Sequence, residues 1–94
     1  MEQDVIYNEI KKQTQIVEEK HKYVYLIKLG FLQDLKIGLA QQPELFEEGS
    51  FDYFLEAMQK EAEIVETANK ELDLEIQKLH ELQELAHKGW VANE

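Results

Sequence analysis

Between residues 51 and 88 the chain contains neither proline nor glycine, and between 3 and 41 it contains no proline. Both stretches are rich in Glu, Lys, Gln, Leu and Ala, all good helix formers. Pro43, Gly49 and Ser50 fall together in one short interval, residues 42–50. A chain punctuated in this way has one place to turn. The pattern predicts an all-α fold in a single domain, 1–94: a helix over about 3–41, a turn at 42–50 and a second helix over about 51–88. Ser50 is expected as an N-cap, with Asp52 in the first turn where negative charge suits the helix dipole. His87 and Lys88 ahead of Gly89 read as a helix stop, with Trp90 folding back toward Leu82 or Leu85.

Apolar spacing supports two long antiparallel helices. In the second stretch Phe54, Met58, Ala62, Val65, Ala68, Leu72, Ile76, Leu79, Leu82 and Ala86 recur every three or four residues, the narrow stripe of a coiled coil. In the first, the stripe is Ile6, Ile10, Val17, Val24, Ile27, Phe31, Leu35 and Gly38, with polar Gln13 and Lys20 taking the turns between. A turn centred near Phe46 sets Val24 opposite Ala68, Phe31 opposite Ala62 and Gly38 opposite Phe54. Gln13 then falls opposite Leu79 and Lys20 opposite Leu72, two polar levels that fit the stripe less well and either specify register or are solvated at the stem edge. Leu45 and Phe46 are expected to plug the end of the bundle.

A bare helical hairpin makes a poor core. Residues 23–39 carry a second apolar stripe, Tyr25, Leu29, Leu32 and Leu39, on the side away from the first. A helix apolar on more than one face is normally buried on more than one face. The expectation is a homodimer, two hairpins forming a four-helix bundle, with another protein as the rival occupant of this face. The run Tyr23-Val-Tyr-Leu-Ile is also β-prone, which leaves a short strand as the alternative there.

Charge is divided unevenly. Residues 1–41 hold six acids and six lysines, whereas 42–94 hold fourteen acids and four lysines, so the whole net charge of −10 lies in the second part. This makes Glu63, Glu66, Glu71 and Asp73 candidates for an acidic docking face toward a basic partner; the plainer reading is a solvated face that keeps the protein soluble. Glu56 with Lys60 and Glu66 with Lys70 are i,i+4 pairs of favourable polarity. Arginine, the bidentate reader of phosphate, is missing, and direct binding to nucleic acid or an anionic membrane surface is disfavoured.

Cysteine is missing as well, so disulfides, thiolate metal sites and thiol nucleophiles are excluded. The most apolar segment, 23–39, is broken by Lys28, Asp34 and Lys36 and falls short of the ~20 residues of a membrane span. The opening MEQDVIYNEIKKQ has no basic start before an apolar core, which argues against a secretory signal. A cytoplasmic location is the resulting expectation.

Signals for catalysis are weak. The sequence has no glycine-rich phosphate loop, HExxH, GxSxG or EF-hand series. Glu18 with His21 and Glu84 with His87 are ExxH pairs, the spacing used in helical di-iron sites. With glutamate at 16 of 94 positions, such pairs arise readily by chance. The expectation is therefore no metal, no cofactor and no enzymatic activity. The function expected is protein–protein interaction, as a regulator, inhibitor or assembly adaptor. The alternatives are a nucleic-acid-mimicking inhibitor and a ferritin-like di-metal hairpin built on the ExxH pairs.

Overall fold

The computed structural model describes residues 2–92. It consists of three helices, α1 (Glu2–Ala40), α2 (Gln42–Glu48) and α3 (Phe51–Ala92), with no strand among the described residues. The all-α expectation is met, and the β-prone run at Tyr23 is continuous helix. Residue contacts divide the chain into two compact units, Met1–Lys22 with Lys70–Glu94, and Tyr23–Asn69.

The interval 42–50 is not an open turn. It carries a short helix of its own, which corrects the expectation. The Gln41 carbonyl accepts the first bond of α2, from the Leu45 N–H at 3.0 Å. Pro43 therefore sits in the first turn, where its missing N–H has no intrahelical partner to lose. α2 ends on Gly49, which at a φ of 71° is the one left-handed residue among those described. The Ser50 N–H reaches back to the Leu45 carbonyl at 2.9 Å, the 6→1 bond of a Schellman cap. Ser50 then starts α3, its carbonyl accepting from the Phe54 N–H at 3.1 Å. The expected stop at Gly89 is overridden, because α3 runs on to Ala92. Gly89 does not adopt the positive φ that a C′ glycine would need. The side chains of Phe46 and Trp90, assigned roles from sequence, lie outside the described set.

In the second unit, Tyr23–Asn69, α1 meets α3 through Val24, Ile27, Phe31, Leu35 and Gly38 on one side and Phe54, Met58, Glu61, Val65 and Ala68 on the other; these are the less exposed positions of each segment. Val24 and Ala68 are the most buried apolar side chains here, at 4% and 6% exposure. Gly38 abuts the Phe54 ring so closely that a Cβ at 38 would occupy the ring's place. That level agrees with the sequence register.

One level does not agree. Ala62 is exposed, and Glu61 takes the inward position. The reason is periodicity. Along α3 the positions 54, 58, 61, 65, 68, 72, 75, 79, 82 and 86 are all buried or half-buried, a strict alternation of four and three. Choosing apolar residues at 62 and 76 breaks that alternation, whereas the heptad admits Glu61 and Glu75.

In the first unit Leu72 and Gln13 are buried. The Gln13 amide donates to the Glu75 carbonyl oxygen at 2.8 Å and to the Glu75 carboxylate Oε2 at 2.6 Å. Lys20 lies 3.8 Å from Glu71. The polar heads of Gln13 and Lys20 thus reach acids close to the expected levels. A buried amide or a lysine head needs a polar partner more than it needs a level position.

Candidate functional site

Three groups of side chains are candidates for a functional role, and each follows from the helical period.

The outer row of α1 lies in the second unit. Tyr25, Leu29, Leu32 and Leu39 are all about half exposed or more, at 56%, 46%, 57% and 53%. Their spacing of 4, 3 and 7 is a second heptad stripe, and Lys36 fills the vacant level. Leu26 and Ile37 widen it and are equally exposed. Isolated exposed leucines are ordinary, but a contiguous apolar row on one helix face is a feature of interaction surfaces.

The acidic candidates are all exposed, Glu63 and Glu66 in the second unit, Glu71 and Asp73 in the first. They are not equivalent. Glu71 is paired with Lys20, and Glu66 also has an interaction partner.

The third group was missed by sequence reasoning. In the second unit Ile27, Gly30, Phe31, Asp34, Glu61, Ile64 and Val65 line a groove of about 230 Å³. Glu61 enters it from the inward heptad position on α3. The Asp34 carboxyl lines the same groove. Two ionised carboxylates cannot donate to each other, and Glu61 Oε2 is shielded from solvent without a hydrogen-bond partner. Burial foremost, and then the Asp34 carboxyl, hold the Glu61 carboxyl above its ordinary pKa. No lysine among the described residues relieves the pair: Lys60, the next residue along, is paired with Glu56 at 3.7 Å. The signal that could have found this site is the strict heptad, which puts 61 inside and 62 outside.

Glu75, at the equivalent position two heptads on, behaves oppositely. The Gln13 amide chiefly, and Lys78 beside it at 3.3 Å, hold its carboxyl below the ordinary value. An inward acid is thus satisfied in the first unit and unsatisfied in the second.

The metal candidates Glu18, His21, Glu84 and His87 are all exposed. Glu84 and His87 share a shallow surface depression with His80, Gln83 and Lys88, all of them on α3. Among the described residues no group of three or more His, Asp or Glu side chains is placed to hold a metal ion. Also among the described residues, no helix is long and apolar enough to cross a membrane.

Comparison with family models, curated proteins and solved structures returns no match.

Proposed function

We propose that this chain is an acidic helical hairpin that dimerises into a four-helix bundle and acts by binding another protein, as a regulator, inhibitor or assembly adaptor. The observation that carries this reading is the exposed apolar row Tyr25, Leu29, Leu32 and Leu39 on α1. The row also lies in the part of the chain where acids and lysines balance, so two copies meet there without bringing the acidic excess together. Glu63, Glu66, Glu71 and Asp73 on α3 then point to a basic partner, whose approach their charge would speed.

Sedimentation equilibrium tests the assembly. The unmodified protein should be dimeric at micromolar concentration, and Leu29→Glu or Leu32→Glu should make it monomeric, because an unpaired charge in an apolar seam costs several kcal/mol. A monomer at high micromolar concentration in the unmodified protein would overturn the dimer and leave the row as a face for a different protein.

A further inference from the structure

We propose that the groove of the second unit is a receptor for an arginine side chain of a partner protein, its guanidinium seated between Asp34 and Glu61 and its methylenes along Ile27, Phe31, Ile64 and Val65. This rests on the reading that the chain acts by binding protein, but it uses a different surface from the outer row of α1.

Four observations lead to it. The groove holds about 230 Å³, less than the ~300 Å³ at which small-molecule pockets begin, so it suits one side chain rather than a cofactor. Its walls are apolar apart from the two carboxyls, which matches a side chain with an apolar stem and a charged head. Gly30 leaves it open, since nothing lies within 4 Å of where its Cβ would be. Finally, the charge is one-sided. Asp34 and Glu61 both line the groove, Glu61 Oε2 has no hydrogen-bond partner, and no lysine of the described residues forms an ion pair with either.

The occupant is identified by geometry and by composition. Two adjacent carboxyls match the planar, many-donor fork of a guanidinium better than the point charge of an ammonium. Guanidinium is also the more weakly hydrated, and so the cheaper to draw into an apolar groove. The chain contains ten lysines and no arginine. An arginine in this groove therefore comes from a different protein, not from a second copy.

The test uses butylguanidinium as the probe, titrated into isotopically labelled full-length protein and followed by NMR. Saturable shifts are expected at Gly30, Ile64 and Val65. Butylurea, the uncharged isostere, should bind about tenfold more weakly, the loss expected when a charge-assisted pair is replaced by a neutral one. The shifts should vanish in the double variant Asp34→Asn with Glu61→Gln and in Gly30→Leu, which fills the groove. They should persist in Leu29→Glu, so failure of the groove and failure of the dimer are told apart. Circular dichroism checks that each variant folds, and Gly30→Leu has room to do so. Any of four results overturns the proposal: no shift at the groove, equal binding of butylurea, full binding by the double variant, or butylammonium binding as well as butylguanidinium. Loss of self-association in Gly30→Leu also overturns it, because a second copy would then be the occupant.

Discussion

The ring of Phe54 occupies the space that a side chain at position 38 would need, and only because residue 38 is glycine do α1 and α3 meet at that level. Phe54 also leans on Phe51, with ring centroids 6.0 Å apart and tilted by 36°. Gly38 is buried, while Gly30, eight residues earlier on the same helix, faces open space. Two glycines in one helix thus have opposite roles.

The first prediction is a difference in sign. Gly38→Ala should destabilise, since overpacking of roughly 1–3 kcal/mol outweighs the helix-propensity gain of about 1 kcal/mol. Gly30→Ala should stabilise by about 0.5–1 kcal/mol, having only the gain. Urea melts of the two variants check this, and Phe54→Leu should restore most of the Gly38→Ala loss. Two losses of equal size would show that the glycines act through helix geometry and not through Phe54.

A second prediction concerns pH. The folded-state pKa of Glu61 is raised from its ordinary 4.5 by burial and by Asp34, so the folded protein holds a proton that the unfolded chain has lost. The stability this supplies is complete below pH 4.5 and drains away as pH rises through the higher folded value. Glu61→Gln keeps a donor for Asp34 at every pH. It should therefore match the unmodified protein near pH 4 and exceed it near pH 7, as read by thermal melts across that range.

Glu75 should show the opposite slope. Its folded pKa is depressed, first by the Gln13 amide, so its contribution is present above about pH 4.5 and lost as pH falls through the lower folded value. Gln13→Leu should raise the Glu75 pKa back toward the ordinary range. Carbon-detected titration of the carboxyl measures this directly. An unchanged Glu75 titration would assign the depression to Lys78 and Lys20 instead.

For the acidic face, Glu63→Lys with Asp73→Lys is a cleaner probe than reversals at Glu71 or Glu66, which have partners of their own. Both chosen residues are exposed and outside the stripe along α3. Once a partner is in hand, the double reversal should slow association and flatten its salt dependence while leaving circular dichroism unchanged. Intact association would reduce the acidic excess to a solubility device.

Much of the fold was legible because few signals compete in this sequence. The stripe on α1, including the polar levels Gln13 and Lys20, is the one the spacing predicts, and the Gly38–Phe54 level was read correctly from the antiparallel register. What was misread has a common cause. Ala62 was favoured because it is apolar, although strict periodicity points to 61; Ile76, also read as a stripe position, is half-buried beside Glu75. Pro43 and Gly49 were read as breakers of a turn, although a proline in a first turn and a glycine just past a last turn frame a helix equally well. Gly89 carries a stop signal, yet α3 continues through it to Ala92. The groove beside Asp34 was hidden for the same reason as Glu61, since a charged residue at an inward position is what polarity alone would reject.

The two cross-helix relationships described first, Gly38 with Phe54 and Gln13 with Glu75, also differ in how much chain each must gather. The first joins residues sixteen apart (54 − 38) and the second residues 62 apart. Closing the longer loop from a disordered chain costs about 1.2 kcal/mol more in entropy. The contacts nearest α2 can therefore nucleate, and those nearest the termini add on afterwards, each shortening the loop left to close. Run backward, the same sequence of events starts with the pairing of Gln13 and Glu75. Amide protons around residues 13 and 75 would then exchange through brief local openings, while those around 24 and 68 wait for a larger unravelling.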